Sequence, residues 1–368
     1  MRMFYVANMR MPTDRAHGVQ VAEMCQAFSK ENVELTLVVP RRHSNIKEST
    51  FDYYHVSPTF KIKSLPVFDL VAQGFWGHLI EVVTFSVSTL IYCIAKKAKL
   101  IYSRDEIPLW LLGVFGFKTV FEVHQGRWNF FVRGICKRAS AVVCISAALK
   151  DFLVKNEVEP DKVLVARDAV DLDKFRISLT KQQARMELGW QMDDTIVLYA
   201  GGLEEWKGYR TFLDSSQYLS EGIKLVLAGG TEAQVAELRK FYPGVTFLGQ
   251  TLYTELPIYQ KAADILVVPN SARESLSRLF TSPLKLFAHM ASGVAIVASD
   301  LPSLREVLTE KEAFFFVPDD SNDLARVIGL VISKPEQAAI RAAAALSAVS
   351  SYTWQVRAGA ILNFLESR

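Results

Sequence analysis

Short apolar runs alternate with stretches of helical period along almost the whole chain. Residues 3–7 (MFYVA) and 33–40 (VELTLVVP) are two such runs, and residues 19–30 between them are amphipathic. This spacing predicts a βαβ unit, whose crossover is right-handed in a parallel sheet. Further runs at 100–102, 119–123, 141–145 and 162–166 continue the alternation, and the first three lead into Ser103-Arg104-Asp105, His124 and Ser146. A second series begins at 195–200 and continues through 224–228, 245–248, 265–269, 295–299 and 314–317. Strands separated by helices in this way predict α/β architecture with parallel sheets, in two Rossmann-like domains.

The expected boundaries are an N-terminal domain over 1–172, a C-terminal domain over 173–350 and a terminal segment, 351–368, whose helix crosses back to the first domain. Residues 168–182 form the polar crossing between the two. Two stretches are less regular. Residues 44–76 mix aromatic and basic side chains and suit either a variable acceptor-side segment or scaffold. Residues 82–95 are the longest apolar run, of a length that predicts a buried helix rather than a membrane span.

Composition narrows the class. Half of the 368 residues are hydrophobic, 22% are charged, and the net charge is +3. That balance predicts a packed protein and excludes extended disorder. Lys and Arg do not cluster on one element, which argues against a nucleic-acid partner. Cys25, Cys93, Cys136 and Cys144 lie in apolar segments without CxxC spacing, so neither a disulfide framework nor a zinc site is expected. The first residues, MRMFYVANMRMP, run straight into a strand and predict a cytoplasmic protein without an export leader. A peripheral contact at the inner face of a membrane is an expectation for the basic and aromatic surface around Lys61, Lys63, Phe75 and Trp76.

The chemistry concentrates at predicted strand ends. Gly201-Gly202-Leu203-Glu204-Glu205-Trp206-Lys207-Gly208 follows a strand directly, and its glycines let the backbone turn and expose N–H groups. Farther on, Ser282 and Pro283 read as an N-cap and a first-turn proline, with Lys285 inside the first turn. Loop and helix start together can grip one diphosphate, with two lysines and a helix dipole neutralising it and no obligatory divalent metal. Neither GxGxxG nor a Walker loop is present, so the usual NAD and P-loop readings are set aside. In the first half, the 8–18 loop ends in His17-Gly18, where backbone can approach a substrate closely, and His124 stands at a strand's carboxyl end.

These pieces carry a resemblance. YAGGLEEWKG at 199–208, SPLKLFAHMASGVAIVASD at 282–300, FEVH at 121–124, DAVDLDKF at 168–175 and AHGVQV at 16–21 occur in this order across the chain, which resembles a GT-B glycosyltransferase of family 4, the group 1 glycosyl transferases. The resemblance implies two Rossmann-like domains facing across a cleft. It also implies transfer of a sugar from a nucleotide-diphosphate donor, with retained anomeric configuration, to a glycan or lipid-linked acceptor in surface polysaccharide or lipopolysaccharide synthesis. It gives His124 and Lys207 catalytic roles. It assigns donor diphosphate binding to Gly18, Gly201, Gly202, Lys207, Thr281, Ser282, Pro283, Leu284 and Lys285. The acceptor side falls to Arg15, His17, Arg104 and Asp105. Apart from the sugar nucleotide, no cofactor is implied, and no metal.

The chain departs from the family pattern at three positions. Ala288 stands where a ribose-binding glutamate is usual, Phe280 occupies the position of an earlier acidic residue, and Gly202 replaces an arginine. Losing a carboxylate that accepts ribose hydroxyls costs roughly 1.5 to 3 kcal/mol of binding unless His289 or Glu274 substitutes. The alternative expectation is therefore a catalytically weakened or non-catalytic sugar-nucleotide-binding partner protein.

Overall fold

The structure is a computed structural model that describes residues 1–368. The chain divides into two compact units, unit 1 comprising Met1–Arg167 with Trp354–Arg368, and unit 2 comprising Asp168–Thr353. Unit 1 is built on a parallel seven-stranded sheet of β1 (Arg2–Val6), β2 (Glu34–Pro40), β3 (Lys61–Leu65), β4 (Ile101–Ser103), β5 (Thr119–Val123), β6 (Ala141–Cys144) and β7 (Val163–Val165), in the order β3-β2-β1-β4-β5-β6-β7. β5 and β6 are buried at every residue, as expected of strands with helices on both faces.

β3 lies inside the irregular 44–76 segment, where alternation alone does not announce a strand. Its sequence, KIKSL, puts Lys61 and Lys63 on the exposed side of a sheet edge, where charged residues discourage pairing with other chains. The 82–95 run belongs to a longer helix, Phe75–Ala95, and only one face of it is buried. The C-terminal helix, Trp354–Glu366, packs against the helix Ala16–Lys30 within unit 1 and buries Trp354 and Arg357.

Unit 2 holds a parallel six-stranded sheet of β8 (Thr195–Ala200), β9 (Ile223–Ala228), β10 (Thr246–Gly249), β11 (Ile265–Val268), β12 (Ala295–Ser299) and β13 (Phe314–Phe316), ordered β10-β9-β8-β11-β12-β13. One apolar layer packs Phe212, Leu227, Val267, Phe316 and Ile328 on one side of the sheet. Another gathers Val268, Leu286, Phe287, Ile296 and Leu308. Residues 168–172 side with unit 2 because Val170 is fully buried in the second layer and its N–H donates to the Tyr352 carbonyl.

The order of these strands matters for the site. β8 and β11 are hydrogen-bonded neighbours, so the loop after β8 and the segment after β11 leave the sheet side by side. Gly208, with φ of 70°, closes that loop where a Cβ would fall 1.7 Å from the Pro269 carbonyl oxygen. Only glycine allows this approach.

Candidate functional site

In unit 2 the loop 201–208 and the helix Leu284–Ser292 share one neighbourhood. Lys285 Nζ lies 4.8 Å from the centre of the Tyr199 ring, on β8, and the Tyr199 hydroxyl donates to the Gly202 carbonyl at 2.7 Å. Lys207 is ion-paired with Glu204 at 2.7 Å and lies over the Trp206 ring. Lys285 Nζ itself is buried and has no hydrogen-bond partner. Burial, and then the charge of Lys207, lower its pKa to about 7, although Glu204 pulls the other way. An ammonium held there is short of an acceptor, and the face of Tyr199 offers only a weak substitute.

The helix start differs from the expectation. Pro283 occupies the N-cap position, the helix begins at Leu284, and the Ser282 hydroxyl accepts the backbone N–H of Asp168 at 3.0 Å instead of capping the helix. A proline cannot cap with a side chain, and Ser282 lies one residue too early. Thr281 and Ser282 are buried in the extended backbone ahead of the helix. At Gly202 a Cβ would fall 2.3 Å from Glu204 Oε2 and 2.8 Å from Lys207 Nζ, the mobile ends of two long side chains that can shift aside. The Lys207–Glu204 pair fills the space where a side chain at position 202 would begin.

Neither residue weighed as a replacement for the missing carboxylate sits simply. His289 lies one turn beyond Lys285 on the same helix, fully buried, with both ring nitrogens unbonded, and burial and then Lys285 lower its pKa to about 3. It is neutral at any ordinary pH. Glu274 is exposed and lines a recess of about 340 Å³ with Trp206, Arg210, Arg273 and Asp319. Ala288 is sealed in the apolar layer.

In unit 1, a pocket of about 380 Å³ opens at the carboxyl ends of β1, β4 and β5, lined among others by Asn8, His78, Arg104, Asp105 and His124. Its floor is organised by Glu122. This buried carboxylate lies 2.7 Å from His124 Nε2, accepts from Gln20 Nε2 and Arg357 Nη2 at 2.7 Å each, and accepts the Tyr102 hydroxyl. Burial by itself would raise the Glu122 pKa, but the Arg357 charge and then the His124 bond hold it well below the ordinary value. An ionised Glu122 accepts, so His124 presents Nε2–H to it. Residues two apart on one strand share a face, and this alternation brings Glu122 to His124.

Arg104 donates to Gln20 Oε1 at 3.2 Å, and Asp105 accepts the Asn8 backbone N–H at 2.6 Å. Asp105 occupies the N-cap of the helix Glu106–Val114 without a capping bond, and burial raises its pKa. His17 is half-buried. Burial and the nearby charges of Arg104, Arg15 and His124 lower its pKa to about 4, so it is neutral at pH 7. Arg15 is exposed at the N-cap of the helix Ala16–Lys30, whose second residue is His17. Gly18 belongs to unit 1, and its side-chain direction is filled, because a Cβ would lie 2.1 Å from the Tyr54 hydroxyl. The expected diphosphate residues other than Gly18 are thus in unit 2, and of the expected acceptor-side residues Arg104 and Asp105 line the unit 1 pocket, while His17 lies within electrostatic reach of Arg104 and His124.

Sequence reasoning missed Glu204, Glu122, Gln20 and Arg357. It also missed Asn270, buried just past β11 with its amide unbonded. The signal available was Glu122 within an otherwise apolar strand, two residues before His124.

Residues 17–174 match the family model for Glycosyltransferase Family 4, and residues 194–334 match that for Glycosyl transferases group 1. The chain belongs to the group 1, family 4 glycosyltransferases. Among relatives of this chain, the phosphatidyl-myo-inositol mannosyltransferase of Mycobacterium tuberculosis is 29% identical over 211 residues, covering 54% of this chain and 53% of that protein. The O-antigen chain mannosyltransferase RfbU of Salmonella typhimurium is 23% identical over 288 residues, covering 76% of this chain and 75% of that protein. Most curated relatives are matched over about half their length. A solved structure, HepE of Anabaena in complex with UDP-glucose, superposes with a TM-score of 0.79 at 16% identity, covering 100% of both chains. The fold is GT-B.

Proposed function

We propose that the protein transfers a sugar from a nucleotide-diphosphate donor to a hydroxyl of a glycan or lipid-linked acceptor, with retention of configuration and without an obligatory metal. One observation carries this reading. Lys285 is a buried amine without an acceptor, beside Lys207 and a glycine loop, in a chain of this family. Such a group is matched by an anion that brings its own oxygens, and a diphosphate supplies several. The relatives named for mannosyl transfer to phosphatidyl-myo-inositol and to O-antigen chains, and the neighbour solved with UDP-glucose, support the substrate class and a role in surface glycan synthesis.

In this mechanism Lys207 exchanges Glu204 for a phosphate oxygen, and Lys285 gains both a proton and a partner. Both charges stabilise the nucleoside diphosphate as the glycosidic C–O bond breaks, which is electrostatic stabilisation of a leaving group. A phosphate oxygen of that leaving group takes the acceptor proton, so paired carboxylates are not needed. His124, fixed by Glu122, hydrogen-bonds the donor sugar.

Calorimetry with a panel of nucleoside diphosphates and their sugar conjugates, together with donor hydrolysis, tests the reading. Binding of one base with release of sugar is expected, and NMR of the transferred product should show the donor's anomeric configuration. An inverted product overturns retention, and loss of turnover in EDTA overturns metal independence. Binding without sugar release favours a second reading, a non-catalytic sugar-nucleotide-binding partner, which Ala288 and Gly202 motivate. Absence of binding overturns both.

A further inference from the structure

We propose that the outer face of the helix Phe75–Ala95 docks unit 1 on an anionic lipid bilayer, lying in the plane of the headgroups. Trp76, Ile80, Val83, Val87, Ile91 and Ile94 are all exposed, and their spacings of three and four residues form one continuous stripe. It runs about 27 Å along the helix axis at 1.5 Å per residue. Two of these side chains are more exposed than buried by a wide margin, Trp76 at 72% and Ile91 at 62%. Among the exposed positions of this helix, only His78 is polar. Phe75 at its start and Phe68 in the preceding loop, whose N–H donates to Thr84 on the helix, extend the apolar surface.

Charge identifies the occupant. The helix ends in exposed Lys96, Lys97 and Lys99, and exposed Lys63 of β3 lies 6.0 Å over the ring of Tyr92 on the same helix. The exposed face of the helix holds no Asp or Glu. Aromatic residues at one end, aliphatic residues along the middle and lysines at the other end match an interface of acyl chains beneath anionic headgroups. The stripe offers few hydrogen-bonding groups with which a folded protein partner could fix an orientation.

The helix is long and apolar enough to cross a membrane by length and composition. Its inner face decides against crossing. Phe85, Leu90 and Cys93 pack into unit 1, and buried Glu81 lies near Asn8 at 3.4 Å. Spanning would expose that carboxylate and Thr89 to hydrocarbon and strip the sheet of its cover. The same helix lines the strand-end pocket through His78 and Val82, half a turn to two turns from Trp76. Docking therefore brings the pocket that holds His124 to the level of the headgroups. This inference goes beyond the transfer reading and does not depend on it.

Vesicle sedimentation of the full chain tests it, comparing phosphatidylcholine alone with phosphatidylcholine containing roughly one third phosphatidylglycerol. The protein should pellet with the anionic vesicles, less so as salt rises. Brominated lipids should quench Trp76 fluorescence, read as the difference from Trp76→Phe. Val87→Glu combined with Ile91→Glu should lower the bound fraction by at least about tenfold at an unchanged melting temperature. Lys96→Glu with Lys97→Glu should remove the preference for anionic vesicles. A wild-type protein that stays in the supernatant overturns the proposal, as does undiminished pelleting of the Val87→Glu, Ile91→Glu variant. A lipid-free dimer that this variant splits, without vesicle binding, assigns the stripe to a second copy of the chain and also overturns it. Because sedimentation needs no donor, failure of the transfer reading is visible separately, in the nucleotide screen.

Discussion

The two strand-end sites hold opposite kinds of buried charge. Glu122 in unit 1 is saturated, with Arg357, Gln20, Tyr102 and His124 all around its carboxylate. Lys285 in unit 2 is starved, with an aromatic ring beneath it, another lysine nearby and no acceptor on its nitrogen. A saturated buried charge fixes geometry, because each donor it holds loses its freedom. A starved one stores unfavourable energy that a ligand of opposite charge can release. The first is how a protein positions a group, and the second is how it prepares to bind one.

The sharpest way to break the comparison is to remove one partner from each charge. Arg357→Met leaves Glu122 buried without its cation and should cost about 3 to 5 kcal/mol of stability, measured by urea denaturation. A loss below about 1 kcal/mol would mean that Glu122 is not organised as described. Next in size is Lys207→Ala, expected to weaken nucleoside diphosphate binding by roughly ten- to a hundredfold in calorimetry, the value of a charge-assisted hydrogen bond. Unchanged affinity would remove the diphosphate from this loop.

Glu122→Gln keeps the size and removes the charge. It should shift the His124 ring tautomer seen by nitrogen NMR and lower donor turnover by roughly tenfold, with donor affinity nearly unchanged. A shifted tautomer with full turnover would leave Glu122 as the positioning residue but deny His124 its role in transfer.

The last effect has a distinctive sign. The Lys285 pKa is lowered to about 7 in the folded protein, below its unfolded value, so the unfolded state binds more protons between pH 7 and about 10.4. Stability should therefore rise with pH across that window, by an amount on the order of 1 kcal/mol or more, and the rise should vanish in Lys285→Met. Nucleoside diphosphate binding at pH 8 should take up a proton, detected as a dependence of the calorimetric heat on buffer ionisation. Equal heats in all buffers would mean that Lys285 does not pair with the phosphates.

Much of this organisation was legible in the residue pattern, and the exceptions share a cause. The strand ends that carry His124, Arg104 and the glycine loop stand out because parallel strands are apolar throughout and stop abruptly at polar residues. β3 was illegible because an edge strand with lysines outward lacks that apolar signature. Of the helix Phe75–Ala95, residues 82–95 were legible as helix but not as surface, since an apolar residue reads alike whether it faces the core or solvent. The cap at Ser282 was misplaced by one residue because its hydroxyl was taken by a backbone N–H 114 positions away in the chain.

The sequence by itself determined two parallel α/β sheets, the glycine loop with Lys207, the second lysine at Lys285 and the polar strand ends, since each follows from local period, backbone freedom or charge. Only the tertiary structure decided that Glu122 and Arg357, 235 residues apart, form one ion pair beneath His124, and that Lys285 lies against Tyr199 without an acceptor. The reason is physical. Propensity and patterning act over a few residues, whereas desolvation and the pairing of buried charges depend on what the fold brings within a few ångströms, and the chain between such partners carries no record of their meeting.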